Sequence, residues 1–542
     1  MTDRPADPDA SWGARPERQL ATVARNVSTR YVAIMVETVI GLVMLPFNLF
    51  HLGAAEYGLW ILIGSLTLHF SILDLGYGGG LVKFIAHYRA RRDSRAINEI
   101  ASTLFFVMAG FGLLAYALAT GLAFNLGTIF PRLSPEQLEI GKWLLLITAL
   151  HVAMTFPFGI FGAVTVGFQR HDANNFVAIM TSVVTALVNV TVLLLGYGLL
   201  ALVACTTLVR LAALLAYRRT AYRIYPALSV RPSRVRRTRL REITGFSIYA
   251  GVIDWANKLN YQIDDLVIGA FLGSAAVAVW AVAGRIIMGT QRLTNQLNGV
   301  LFPLIVDSDS TQNQARLRQI MLQGTRLSLA TVIPIATVLI VLGDPLIRSW
   351  TNAEMAAAVP ILQVLAIAVV IRVGNATGNT LLKGAGEHKL VAWTNLAAGF
   401  ANLALSIYLV RHYGLMGVAV GTLVPIALCA ALILNPAACR RVGLPIGHQV
   451  LHSVVPTVWP AFVMGALLTY TAGVMNGTLL AVALQAALGS LVYYAVFFGF
   501  AVGRADRAMY TAKALELLGR PGHGRVAPPV TVAAQRADSA AP

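Results

Sequence analysis

Charged residues are scarce in this chain of 542 residues. Asp, Glu, Lys and Arg make up 12% of it, whereas they make up about a quarter of a typical soluble globular protein. This deficit excludes an ordinary water-facing surface. Cysteine is rare as well, since Cys205, Cys429 and Cys439 are the only three. They predict neither a disulfide framework nor a metal cluster.

A nucleotide-binding loop is also missing. No stretch matches GxxxxGK[ST], and "GYGGG" (76–80) lacks the Lys and the hydroxyl that a phosphate-cradling loop needs. We therefore expect no ATP hydrolysis, no catalytic residues and no cofactor, and an ion gradient of protons or sodium as the energy source. The spacing of His448 and His452 in "HQVLH" suits a metal, but no carboxylate or cysteine converges on the pair, which favours an interfacial histidine pair.

Long apolar segments dominate the chain instead. Hydrophobic residues make up 57% of it, and its mean hydropathy is +0.68. A helix of about 20 apolar residues crosses a hydrocarbon core of roughly 30 Å. We predict an all-α polytopic membrane protein with about fourteen transmembrane helices, at 26–50, 56–78, 101–128, 143–168, 176–197, 199–217, 244–271, 275–305, 322–343, 357–382, 391–410, 415–435, 450–473 and 478–502.

The net charge of the chain is +18, and the distribution of its Lys and Arg residues indicates how the chain is oriented in the membrane. With an inside N-terminus, 31 of the 42 Lys and Arg residues lie in inside segments, four lie in outside loops and seven lie within spans. This asymmetry is what the positive-inside rule predicts. We expect the bacterial cytoplasmic membrane, with both termini cytoplasmic and membrane lipids as partners. The nine Arg residues of 218–241 would also suit RNA, but a loop apposed to anionic headgroups is favoured and no nucleic-acid partner is expected.

An internal repeat organises the chain. "LGAAEYGLWILIG" (52–64) aligns with "LGSAAVAVWAVAG" (272–284) at an offset of 220, and "YGLLALVACTTLV" (197–209) echoes "YGLMGVAVGTLV" (413–424). Because six spans fit within that offset, the halves are parallel, with a pseudo-two-fold axis along the membrane normal. Paired bundles of this kind commonly rock about a central site as transporters. An ancient duplication without a transport role is the alternative.

The repeat predicts six segments. They are a cytoplasmic N-tail (1–25), an N-terminal six-helix bundle (26–217), an Arg-rich cytoplasmic linker (218–243), a C-terminal six-helix bundle (244–436), an extra helix pair (450–503) and a cytoplasmic C-tail (504–542) that is disordered from about 520.

Two stretches resemble a known family. "LGAAEYGLWILIGSLTLHFSILDLGYGGGLVKFIAHYRARRD" (52–93) and "YQIDDLVIGAFLGSAAVAVWAVAGRI" (261–286) are similar to polysaccharide flippases of the Wzx type, in the multidrug, oligosaccharidyl-lipid and polysaccharide exporter superfamily. The chain departs from the family pattern at Val277 and Ala278, where Tyr-Gly is usual, and at Trp280, where Tyr is common. The resemblance covers roughly 26–436.

The resemblance implies a function. Members of this family move a polyprenyl-pyrophosphate-linked oligosaccharide from the inner to the outer leaflet of the bacterial cytoplasmic membrane, for the biosynthesis and export of polysaccharides that include lipopolysaccharide. Glycosyltransferases and a polysaccharide polymerase are the partners that this function implies.

Arg285 and Arg292 stand inside the eighth span. An Arg at the centre of a span costs at least about 2.5 to 3.5 kcal/mol on insertion scales, so two on one helix indicate compensation or use. Their separation of seven places them on one helical face, about 10 Å apart, with Gly289, Gln296 and Gly299. We predict that this stripe lines a hydrated cavity and binds the cargo pyrophosphate. Ion pairs with Asp254, Asp264 or Asp265, or snorkelling, are the alternatives.

Other intramembrane charges extend this prediction. Arg30, Lys258 and Arg372 complete the predicted cationic cavity, although each has a pairing alternative and Asp254 and Lys258 have the i, i+4 spacing of a neutralising pair. An acid inside a membrane can exchange a proton or bind sodium. The ion-coupling candidates are Glu37, Asp254, Asp264 and Asp265.

Three other functions stay open. A lipid II flippase is the nearest, since it too has fourteen spans and a cationic cavity. A multidrug antiporter prefers cationic cargo, to which several Arg residues are poorly suited. A membrane enzyme would need a sizeable outer loop, whereas the longest outer connections, near 129–142 and 344–356, have only about 14 residues.

Overall fold

The structure is a computed structural model of the chain. It describes residues 16–245, 247, 251, 263–472, 477–501, 503 and 507, and within these ranges only the backbone of 16–24, 293, 295–298 and 300. The regular elements of the described residues are all helical. The predicted all-α fold is thus confirmed, whereas most of the two predicted tails lies outside the described residues.

The first group of helices comes from the N-terminal half. Asp93 caps α3 by accepting from the amide of Ala96, and a capping box of Ser134 and Gln137 starts α5. In this group α5 packs against α3 and α7, and α6 packs against α7 and α1. The elements are α1 (Pro16–His69), α2 (Tyr77–Ala90), α3 (Ser94–Ala123), α4 (Leu126–Ile129), α5 (Pro135–Gly167), α6 (His171–Leu194) and α7 (Leu199–Ile224), with a 3-10 turn at Phe70–Asp74.

The Arg-rich linker is folded onto the first group. It holds a 3-10 turn, Pro232–Arg234, and a helix α8 at 237–245. Side chains of α3 bind its backbone: Asn98 donates to Ala227 O (2.9 Å) and accepts from Ser229 N (2.7 Å). Tyr225 and Ile243 are buried in the same apolar cluster as α2 and α3. We call residues 225–243 the linker strap.

The second group comes from the C-terminal half. Here α13 packs against α10, α11 and α14, and the last two long helices pack on α11. The elements are α9 (Asp264–Leu272), α10 (Ser274–Ser310), α11 (Gln314–Val341), α12 (Gly343–Trp350), α13 (Ala358–Gly384), α14 (His388–Cys429), α15 (Asn435–Arg441), α16 (Ile446–Gln449), α17 (Val455–Ala472) and α18 (Leu479–Val496), with a 3-10 turn at Ala353–Ala357 and π-helical turns at Ala430–Leu434, Val450–Val454 and Phe497–Ala501.

Ten helical segments among the described residues are long and apolar enough to cross a membrane. Two of them have 50 and 54 residues and are broken at Gly53 and Gly414, so each holds two crossings. Together with α10, these segments account for thirteen of the fourteen predicted spans. The other predicted span, 244–271, is described only in part.

Equivalent glycines of the predicted repeat share one unusual conformation. Gly53 has φ 73° and ψ 169°, and Gly273, 220 residues later, has φ 87° and ψ 179°. This backbone region is essentially restricted to glycine. The agreement supports the predicted duplication at the point where the next helix of each half begins.

The two groups meet where α1 packs against α10. A Cβ on Gly58 would lie 1.8 Å from the carbonyl oxygen of Ser274, so the two backbones are in direct contact. Leu59 and Val277 belong to one buried apolar cluster that continues from α1 into α10, α11 and α13. In a bilayer such close packing, rather than removal of apolar surface from water, holds helices together.

Candidate functional site

Arg285 lies at this junction of the two groups. Its guanidinium covers Gly41 of α1 so closely that a Cβ there would lie 2.0 Å from Nη2. Tyr57 of α1 is buried and close enough to feel the charge of Arg285. Arg285 itself is exposed and makes no ion pair with a described carboxylate. The structure therefore places between α1 and α10 a guanidinium that no described carboxylate neutralises.

Arg292 continues the same side of α10. It is exposed, follows Arg285 by seven residues of unbroken helix, and has no ion pair within the described part of the chain. Arg285 and Arg292 can therefore share one face of α10, as their spacing predicts. Seven residues of α-helix separate them by about 10 Å along the helix axis. Of the other predicted members, Gly289 and Gly299 lie on this helix, and the side chain of Gln296 is outside the described atoms.

The facing stripe on α1 carries charges of its own. Arg30, Glu37 and Gly41 are separated by seven and four residues, which puts them on one helical face. Arg30 is exposed, whereas Glu37 is half-buried and close enough to act electrostatically on Tyr217 of α7. The contact between Gly41 and Arg285 thus joins the predicted charges of α1 to those of α10.

Asp264 is buried in the second group, with 5% of its surface exposed. Its carboxylate accepts from Thr422 Oγ1 at 3.1 Å and from Asn402 Nδ2 at 3.4 Å, both on α14. Ser406 donates to Asn402 Oδ1 at 3.0 Å, and Arg372 of α13 is near enough to act on Asp264 electrostatically. The structure therefore brings Asp264 and Arg372 together within a polar cluster.

Asp265, the next residue, binds the other group. Its side chain accepts a hydrogen bond from Ser65 of α1, and its charge acts on Tyr57. Consecutive carboxylates are therefore held by different halves of the protein. The ion pairs of Arg285 or Arg292 with these two aspartates, which were the alternative to cargo binding, do not form in the structure.

Two further polar residues were not predicted as site residues. Arg210 of α7 and His151 of α5 lie close enough to interact electrostatically. Arg210 also precedes Tyr217 by seven residues, so both lie on one face of α7. The signal available in the sequence was the single Arg inside an otherwise apolar span, which marks a functional site by default.

The remaining candidates separate clearly. Asp254 and Lys258 lie outside the described residues.

No group of three or more His, Cys, Asp or Glu side chains suited to a metal occurs in the described part of the chain. The rings of His448 and His452 stack with centroids 3.9 Å apart. Arg326 Nε donates to His452 O (2.8 Å) beside the π-helical turn.

Fold and site together define a polytopic all-α membrane protein whose two helix groups meet along ionisable side chains, an arrangement suited to transport. The chain belongs to a family of polysaccharide biosynthesis proteins, whose sequence profile matches residues 51–352. The predicted resemblance to polysaccharide flippases is thereby confirmed at the level of the family.

One curated relative and two solved structures extend this assignment. The chain is 26% identical to the succinoglycan biosynthesis transport protein ExoT of Rhizobium meliloti over 227 residues, 41% of this chain and 44% of that protein. It thus spans less than half of that relative. The lipid II flippase MurJ in an inward closed conformation has a TM-score of 0.67 and 14% identity, over 87% of this chain and 98% of its own.

An inward-facing multidrug resistance MATE family transporter of the exporter superfamily named above has a TM-score of 0.63 and 14% identity, over 76% of this chain and 94% of its own. At these identities the two structures establish a common fold.

Proposed function

We propose that this protein is a flippase that carries a polyprenyl-pyrophosphate-linked oligosaccharide across the bacterial cytoplasmic membrane by alternating access, for polysaccharide biosynthesis and export. Both termini are then cytoplasmic, and glycosyltransferases and a polymerase are its functional partners. The observation that carries the proposal is the Arg285 guanidinium, exposed and without a carboxylate partner among the described residues, over Gly41.

The chemistry of the cargo matches this cation. A pyrophosphate bears several anionic oxygens, and guanidinium groups bind such oxygens by charge-assisted, often bidentate hydrogen bonds. Arg292 and Arg30 lie on the faces that continue from this contact, and Arg372 and Lys258 complete the proposed cationic set. Since Arg285 sits between the halves, bound cargo contacts both and is released as they separate.

The cluster around Asp264 is the proposed ion-coupling site. Its oxygens come from a carboxylate, an amide and hydroxyls, the ligand types that hard cations prefer, and the same carboxylate can carry a proton. The site joins α9 to both parts of α14, so occupancy acts on the packing of the second group. Glu37, Asp265 and Asp254 remain the other coupling candidates.

A lipid II flippase is the second proposal, since the fold shared with MurJ and an anionic lipid-linked cargo suit both. A multidrug antiporter fits less well, because the guanidinium groups of Arg285 and Arg292, which have no ion pair among the described residues, repel cationic drugs. The genes next to the one for this protein distinguish a polysaccharide flippase from a lipid II flippase. Glycosyltransferase and polymerase genes favour surface polysaccharide, whereas cell-division and peptidoglycan genes favour lipid II.

The direct test measures surface glycan in cells that depend on this protein. We expect Arg285→Ala with Arg292→Ala to lower export by about tenfold or more, equivalent to about 1.4 kcal/mol or more, at an unchanged amount of membrane-inserted protein. Arg348→Ala is the matched control, because Arg348 is exposed and pairs with Asp344 (2.7 Å) on its own short helix. Normal export by the double variant contradicts the proposal.

A further inference from the structure

The helices α1 and α6 touch at one end through polar groups. Arg25 pairs with Asp172 at 3.1 Å, Asp172 N donates to Asn26 Oδ1 at 3.0 Å, and Asn175 Nδ2 donates to Thr29 Oγ1 at 3.1 Å. Because Arg25 is near the predicted inner end of the first span, this contact lies at the cytoplasmic surface of the predicted topology.

Farther along, the same helix faces leave an open groove of about 450 Å³. Each helix contributes four lining residues, among them Met35, Val39 and Ile40 from α1 and Val183, Leu187 and Val190 from α6. No polar surface lines it. From Val183 to Val190 the groove runs about 10 Å along α6. It therefore accepts only an apolar chain.

The polar end of this helix pair carries surplus positive charge. Asp172 is shared by Arg25 and by Arg170, whose Nε lies 3.0 Å from the carboxylate, so two guanidinium groups face one negative charge. Their side chains are 51% and 43% exposed. A ligand that complements the whole surface has an anionic head and an apolar tail.

We propose that this groove holds the isoprenoid chain of the lipid-linked cargo, with its pyrophosphate at Arg25 and Arg170 before the head passes to Arg285. The proposal rests on the proposed function and adds a second contact surface to it. Met35 lies about 15 Å along α1 from Arg25, about half of a hydrocarbon core, so a lipid with its phosphate at the surface reaches the groove.

The shape of the lining favours an isoprenoid over a straight acyl chain. Ala186 is the one small residue in a lining that consists mostly of valine and isoleucine, whose side chains have few rotamers, so we expect recesses beside Ala186. An isoprenoid carries regularly spaced methyl branches that fill such recesses, whereas a straight chain leaves them empty and loses those contacts.

The test uses a benzophenone-tagged farnesyl pyrophosphate with the full-length protein in phosphatidylcholine nanodiscs. We expect photolabelling of α1 and α6 at the groove, and an approximately tenfold loss in Leu187→Trp, because the larger indole occupies the groove in place of the chain. The control is Leu208→Trp on α7, because Leu208 is 65% exposed and Leu187 61%. Excess phosphatidylglycerol should not compete.

A second variant distinguishes binding of the pyrophosphate head from binding of the isoprenoid tail. Arg170→Gln leaves one guanidinium for the single Asp172 carboxylate, so it should weaken labelling by the pyrophosphate probe and leave labelling by tagged farnesol unchanged. Equal competition by phosphatidylglycerol, unchanged labelling in Leu187→Trp, or labelling confined to other helices overturns the groove proposal.

Glycan export in the same variants separates the two proposals. If Arg285→Ala with Arg292→Ala loses export while Leu187→Trp keeps both export and labelling, only the groove proposal fails. If the double arginine variant exports normally, the proposed function fails whatever the labelling result.

Discussion

Asp264 and Asp265 are neighbours in the chain, yet their carboxylates bind opposite halves of the protein. Asp264 accepts from Asn402 and Thr422 on α14, whereas Asp265 accepts from Ser65 on α1. One helical turn therefore connects the polar cluster of the second group to the surface of the first. A change of charge at Asp264 therefore affects a helical turn that is hydrogen-bonded to both halves of the protein.

Asp264→Asn tests this connection. The amide keeps the size of the side chain but removes its negative charge and cannot exchange a proton, so export should fall by about tenfold or more and lose its dependence on sodium or pH. Export in inverted vesicles with imposed sodium or proton gradients measures both effects. Asp344→Asn is the control, since Asp344 is exposed and pairs with Arg348. A gradient-dependent Asp264→Asn protein would exclude this site.

Gly41→Ala tests the space that Arg285 occupies. The new Cβ would lie 2.0 Å from Nη2 of Arg285, so the guanidinium has to move while the helix keeps its shape. We expect export to fall severalfold at a normal protein level. Gly64→Ala in the same α1 is the control, because a Cβ added there would meet nothing within 4 Å. Equal export by both variants would show that the position of Arg285 is unimportant.

Gly58→Val tests the contact between α1 and α10. Its Cβ would lie 1.8 Å from Ser274 O, a backbone atom that cannot rotate away. Overpacking of this kind costs about 1 to 3 kcal/mol, so the two helices should separate. The melting temperature of the protein in detergent micelles measures the loss of this contact. Gly64→Val is the control and should leave the melting temperature near that of the wild type, because a Cβ at Gly64 meets nothing within 4 Å.

The linker strap should be sensitive to alkaline pH. Burial, followed by the hydrogen bond to Glu242, raises the pKa of Tyr88 from 10 to about 12. Tyr88 also accepts from Arg239 Nη1 at 2.8 Å, and Arg239 Nε lies 3.2 Å from Glu99. Because the unfolded tyrosine ionises first, its contribution to stability is complete below pH 10 and is lost as pH rises through about 12.

The melting temperature of the protein in detergent micelles measures this effect. The wild-type value should fall between pH 10 and about 12 by more than that of Tyr88→Phe, which has no phenol to ionise. Tyr470→Phe, at an exposed tyrosine of α17, is the control and should behave as the wild type. Identical pH profiles for wild type and Tyr88→Phe would contradict the assigned contact.

Much of this architecture follows from sequence patterns with physical causes. Apolar length predicts the spans, and the offset of 220 predicts the matched conformations of Gly53 and Gly273. The seven-residue spacing of Arg285 and Arg292 requires a common face on any unbroken helix.

Contacts between distant helices do not follow from such patterns. Neither the position of Gly41 under Arg285 nor the divergence of Asp264 and Asp265 has a local signature, because both depend on how helices are set against each other. Arg326 illustrates the same limit, since no local pattern predicts that its Nε donates to the backbone carbonyl of His452, 126 residues later in the chain. The side chain alone does not distinguish a ligand-binding arginine from a structural one.

The hydrogen bonds of Asn98 to Ala227 and Ser229 make the segment between the halves part of the first half. In the proposed alternating-access mechanism, this segment therefore moves with the N-terminal half. Thr244, whose hydroxyl lies 2.8 Å from that of Tyr77, is still docked on this body where the chain enters the C-terminal one. In the proposed alternating-access mechanism, the pivot is therefore expected after Thr244 rather than within the linker strap.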